Sequence, residues 1–218
     1  MKLCVLLFGL SYSENTENYH THVNNKVDYR LSIDNYKKFI YDYFEELGYE
    51  IDTYLCTNFS NEEIQNQLLN DYSPKDYLFI EDKIDNKPEY LIKTINRNIK
   101  LQMVMELVKK SGNNYDLCLM TRFDLKFNIP LSDVNIMLDK MNIVSWWNNE
   151  KPLICDNFYL FPFKYLPKLI LKFKSLPEYS YHYMYKHINK IVRINILVPI
   201  IKYNPELKFY DIVRNNYK

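Results

Sequence analysis

The run Tyr115–Phe127, YDLCLMTRFDLKF, limits what this chain can fold into. Leu117–Met120 is a short apolar stretch that runs straight into Thr121-Arg122-Phe123-Asp124. Apolar runs of this length read as strands buried between layers of helices. A cation and a carboxylate then stand two residues apart at the carboxyl end of a buried strand, the edge at which open α/β sheets bind their ligands. Arg122 can clamp a phosphate through its planar fork, and Asp124 can hold a divalent metal or a sugar hydroxyl. The combination suits a nucleotide-diphosphate ligand. The plainer alternative is a strand-end salt bridge.

The rest of the chain supplies the sheet around that strand. Leu3–Phe8 reads as a buried first strand, and residues 9–29 are polar and irregular, as in a long loop. Ile33, Tyr36, Ile40, Tyr43, Phe44 and Leu47 keep the spacing of one helical face, which Gly48 ends. Ile51–Cys56 is a second strand. Ser60 and Glu63 form a capping box for a short helix to Asn70, and Tyr77–Ile80 is a further strand. Pro88 suits the first turn of a long helix with an apolar stripe of Ile92, Ile95, Ile99, Met103 and Leu107, stopped by Gly112.

Beyond the central strand come a short helix from Pro130 to Leu138, a strand at Asn142–Trp146 and a return strand at Asn157–Phe161. Helical stretches follow at Tyr165–Phe173 and Ser180–Val192, and residues 196–218 are ambiguous. This order predicts an α/β fold. Its central sheet is mostly parallel with a mixed edge, and helices cover both faces.

Composition closes several other routes. A length of 218 residues without a low-complexity linker fits one domain, 1–218. A net charge of +1 argues against a nucleic-acid binder. Only 3 glycines are present, so glycine-rich phosphate loops are set aside. Cys4, Cys56, Cys118 and Cys155 form no CxxC pair and read as free thiols in a reducing compartment, which points to the cytoplasm. MKLCVLLFGL has a single Lys, a short apolar run and no A-x-A-like site, unlike a signal peptide. No run approaches the length of a transmembrane helix. No G-x-S-x-G elbow occurs.

The order of elements and several motifs resemble the GT-A-type glycosyltransferases, which are built on one Rossmann-like domain. More narrowly, the chain is similar to glycosyltransferase-like proteins of bacteria and large DNA viruses. The resemblance is carried by VLLFGLS at the first strand end, EIDTYLCTN, YDLCLMTRFDLKF and the Asp156-Asn157-Phe158 segment of ICDNFYLFP, and it covers roughly residues 1–175. It implies transfer of a sugar from a nucleotide-diphosphate sugar to a hydroxyl of a glycan or other acceptor. A viral member would act in the host cytoplasm. One departure stands out. The family's DXD motif, whose acids bind a metal (Mn or Mg), is here Arg122-Phe123-Asp124, so one carboxylate is replaced by a cation that can itself neutralise phosphate.

The resemblance also assigns roles. Gly9, Leu10 and Ser11 would lie beside the nucleotide base and ribose, and Thr57 and Asn58 would line the same pocket. Arg122 would hold the diphosphate, and Asp124 the metal or the donor sugar. Asp156 would take the acceptor proton if the reaction inverts. Trp146 and Trp147 offer a platform for a sugar ring. Lys100 and Gln102 could point into the site but read first as a solvated helix face, and Arg30 could reach a phosphate but reads first as surface. His20 and His22 have ligand-like spacing but no completing partners in sequence. Two other readings stay open: a glycosyltransferase-like binding or scaffold module without catalysis, and a different nucleotide-handling Rossmann-like enzyme.

Overall fold

A computed structural model describes the whole chain except residues 18–23, 83–85, 149–150, 177, 179–180, 201–209, 213–214 and 217–218. Its centre is a seven-stranded sheet. The strands are β1 (Lys2–Phe8), β4 (Glu50–Asn58), β5 (Asp76–Ile80), β6 (Leu117–Arg122), β8 (Met141–Asn148), β9 (Lys151–Pro162) and β10 (Ile194–Ile200). They lie in the order β10-β8-β9-β6-β1-β4-β5. Six run the same way, and β9 alone is antiparallel to both neighbours. The expected mostly parallel sheet with a mixed edge is therefore present. The Leu117–Met120 run sits inside it, between β1 and β9.

Strand geometry divides the side chains between two cores. Alternate residues of β1 point to opposite faces, as the two-residue period of a strand requires. Cys4, Leu6 and Phe8 pack with Leu101, Val104 and Val108 of helix α4 (Glu89–Ser111). Leu3, Val5 and Leu7 pack on the other face with Ile33, Tyr36, Ile40 and Phe44, and with Ile64 and Leu68 of α3 (Glu62–Tyr72). Both faces are covered, which is what lets Leu3–Phe8 of β1 and Leu117–Met120 of β6 run apolar without a break.

Several local expectations need correction. The first helix is not uniform: α1 (Ile33–Tyr36) passes through a π-helical turn, Lys37–Tyr41, into α2 (Asp42–Glu46), and Leu47 is exposed. The N-cap of α3 is Asn61, whose side chain accepts from the Ile64 amide at 2.8 Å, and Ser60 is not the cap. Asparagine serves that position as well as serine. The region read as one long loop contains a hairpin of β2 (Tyr12–Glu17) and β3 (Asn24–Asp28). These strands carry too few apolar residues to show alternation. Pro130–Leu138 holds only a 3-10 turn, Leu131–Asp133. Ser180–Val192 holds a 3-10 turn at Tyr181–Met184 and the short α6 (Tyr185–Ile188). Helix α5 (Leu166–Lys174) lies where expected.

Two small outlying sheets complete the fold. β11 (Tyr210–Ile212) pairs with β7 (Leu125–Phe127), and β12 (Asn215–Asn216) pairs with β3. His20 and His22 fall outside the described residues, as do the side chains of Trp146, Trp147 and Asp156. The four cysteines are free thiols, three of them buried. Among the described residues, no helix is long and apolar enough to cross a membrane.

Candidate functional site

The chain leaves β1 for β4 and β5 on one side of the sheet, then returns through α4 to β6 on the other side. β1 and β6 thus flank the point where the strand order reverses, which opens a crevice at their carboxyl ends. Phe8 is level with Arg122 there. Gly9 turns the chain out of β1 at φ +102, a conformation that L side chains rarely adopt.

A cavity of about 280 Å³ occupies this crevice. Gly9, Leu10, Asn58 and Arg122 line it from the strand ends, Asp82 from the segment after β5, and Lys93, Thr94, Asn96, Arg97 and Lys100 from α4. Among the described residues, four cations and one carboxylate therefore line it. A second cavity of about 490 Å³ shares Leu10, Asn58 and Asp82 and continues past Tyr12, Glu14 and Phe59. Asn58 stands at the junction. Its Oδ1 is buried and accepts no hydrogen bond among the described residues.

The motif at the end of β6 is tightly fixed. Arg122 Nε donates to Asp124 Oδ1 at 2.8 Å, and its Nη2 donates to Oδ2, so the fork is bidentate. Nη1 donates to Asn157 Oδ1 at 3.3 Å. The Asp124 side chain is 1% exposed and that of Arg122 15%. Ser32 Oγ donates to the Phe123 carbonyl at 2.6 Å, and the Tyr36 hydroxyl donates to the Arg122 carbonyl. Burial pushes the Tyr36 phenol well above its usual range, which keeps it a neutral donor.

Gly9, Leu10 and Arg122 thus meet at one cavity. Ser11 and Thr57 lie behind it: the Ser11 amide donates to Thr57 Oγ1 at 3.0 Å, and Thr57 Oγ1 donates to Ser11 Oγ at 2.9 Å. Both are buried, and their hydroxyls lock the turn after β1 to the end of β4. Asp124 lies under Arg122. The register of β9 against β6 pairs Phe158 with Thr121, so the backbone of Asp156 continues beyond the end of β6, on the cleft side.

Lys100 is where the sequence misled. The expected apolar stripe of α4 is displaced: Asn96, Lys100, Val104 and Val108 are buried, and Lys100 is 3% exposed. Its ammonium is paired with Asp82 at the cavity. The signal was available in the four-residue spacing of Asn96, Lys100, Val104 and Val108, which places them in one row. Gln102 donates to the Phe173 carbonyl at 3.2 Å, and Arg30 forks onto Asp28 at 2.8 and 2.7 Å, so both are structural contacts.

The chain matches no protein-family profile, and no curated protein is similar to it in sequence. Solved structures do resemble it. One is a glycosyltransferase involved in the glycosylation of the major capsid of PBCV-1, with 10% identity, a TM-score of 0.45, and coverage of 89% of this chain and 80% of that one. Another is the inositol-1-phosphate CTP transferase from T. maritima, with 9% identity, a TM-score of 0.46, and coverage of 90% of this chain and 84% of that one.

Proposed function

We propose that the protein is a glycosyltransferase that uses a nucleotide-diphosphate sugar. The observation that carries this reading is the basic crevice at the β1/β6 reversal, where Lys93, Arg97, Lys100 and Arg122 line one cavity. A diphosphate is the ligand such a site favours, because each oxygen can take a charge-assisted hydrogen bond away from bulk water. The adjoining cavity has room for a nucleoside, and the orphaned Asn58 Oδ1 is an acceptor for one of its N–H or hydroxyl groups.

In the reaction, the bond between the sugar C1 and the diphosphate oxygen breaks, and its electron pair leaves on the diphosphate. The acceptor oxygen bonds to C1, and its proton passes to a base, the role proposed for Asp156. The cations of the cleft stabilise the charge that develops on the departing oxygen. A second reading, a binding module without turnover, is favoured by the capture of Asp124 in the Arg122 ion pair.

The test is nucleoside diphosphate release from a panel of UDP-, GDP- and dTDP-sugars, run beside binding of the same compounds. Release that depends on an added hydroxyl acceptor supports the transferase. Binding without release selects the second reading, and no binding removes both.

A further inference from the structure

The described residues do not fit a divalent metal at the end of β6. Both oxygens of Asp124 accept from Arg122, and the carboxylate is buried beneath it. Among the described residues, no group of three His, Cys, Asp or Glu side chains could hold a metal. Among the described residues that line the cavity, the carboxylate is that of Asp82, and it is bound to an ammonium.

That ammonium is unusual in its setting. The side chain of Lys100 is 4% exposed, whereas that of its partner Asp82 is 45% exposed. A lysine is rarely buried unless it is paired, because removing its charge from water is costly. Here the counter-ion is the mobile half of the pair in energetic terms: Asp82 can return to water at little cost, and Lys100 cannot. A phosphate oxygen carries the same charge and accepts the same hydrogen bond as the Asp82 carboxylate.

We infer that Lys100 takes the place of a metal at the donor diphosphate, and that Asp82 holds its ammonium until a phosphate displaces it. This rests on the nucleotide-sugar reading above. Arg122, fixed by Asp124 and Asn157, supplies a second positive charge across the same cavity. Asp82 then competes with the ligand instead of binding it, which gives the two partners of one salt bridge opposite effects on affinity.

Calorimetric titration with UDP, GDP, ADP, CDP and dTDP tests this, in EDTA and in Mn²⁺, for the wild type, Lys100→Met and Asp82→Asn. Methionine keeps the apolar stem and leaves Asp82 in water, so Lys100→Met folds. At least one nucleoside diphosphate should bind the wild type in EDTA. Lys100→Met should weaken that binding about 10- to 100-fold, the range of a lost charge-assisted contact. Asp82→Asn should tighten it. A requirement for Mn²⁺, unchanged affinity in Lys100→Met, or equal weakening in both variants overturns the inference and leaves the proposed function standing. Failure of every nucleotide to bind the wild type overturns both.

Discussion

Arg122 and Asp124 are joined by two hydrogen bonds while both are largely removed from water. A pair held this way is not a surface salt bridge. Removing one member strands the other as a buried charge, whereas replacing both together is far milder. Asp124→Asn should therefore cost about 3–5 kcal/mol of stability. The double variant Arg122→Met/Asp124→Leu should recover most of that loss. Urea denaturation of the two single variants and the double variant measures the coupling, and an additive result would place the pair in solvent.

Gly9 is the next sensitive position. An alanine Cβ there would meet only Arg122 Cγ, at 3.9 Å, which is ordinary contact, so the penalty comes from the backbone at φ +102. Gly9→Ala should lower stability by about 1–3 kcal/mol. Thermal unfolding reads this directly, and an unchanged midpoint would mean that the turn relaxes freely.

Thr57→Val keeps the shape of a fully buried side chain but removes the hydroxyl that meets both Ser11 groups. The Ser11 amide then loses its acceptor, at a cost of about 1–3 kcal/mol. Thr57→Ser restores the hydroxyl and should recover most of the difference. Comparing the two variants by denaturation separates the hydrogen bond from the methyl group.

Acid should unfold the chain through identifiable carboxylates. Burial opposes ionisation of Asp28 and Asp52. Hydrogen bonds from Arg30 to the first, and from Lys75 and Tyr115 to the second, outweigh it and hold both below the usual 3.8. The folded values lie below the unfolded ones, so the unfolded chain takes up protons first as pH falls. This contribution is complete above the unfolded value and is lost as pH drops through the folded one, below about pH 4. Melting temperature against pH should be level near neutrality and fall in acid, with a shallower acid limb in Asp28→Asn. A fall that begins near pH 6 would point to histidine instead.

Much of the architecture was legible because its cause is local. The apolar runs at Leu3–Phe8 and Leu117–Met120 can be buried only between two helical layers, and the stretches between them carry helical spacing. The hairpin in the first long loop was not legible, because its strands are polar and lie outside the main sheet. In the site, the turn at Gly9 and the cation at Arg122 follow from their positions at strand ends. The burial of Lys100 does not, because a lysine on a helix is ordinarily solvated. Only the course of α4 over the cleft reverses that expectation. The mutual capture of Arg122 and Asp124 is equally a matter of rotamers, which two-residue spacing permits without requiring.

Helix α4 carries two different loads along one row. Asn96 and Lys100 line or serve the cleft, while Val104 and Val108, one and two turns further on, belong to the hydrophobic core. The helix is thus a lever shared between ligand and fold. A nucleotide that pins its first half restrains the second half as well, because both lie on one continuous run of backbone hydrogen bonds from Glu89 to Ser111. Occupancy of the crevice should be felt as slower amide exchange at Val104 and Val108, residues that the ligand never touches. At 100 times its dissociation constant such a ligand adds about 2.7 kcal/mol to the stability of the whole chain.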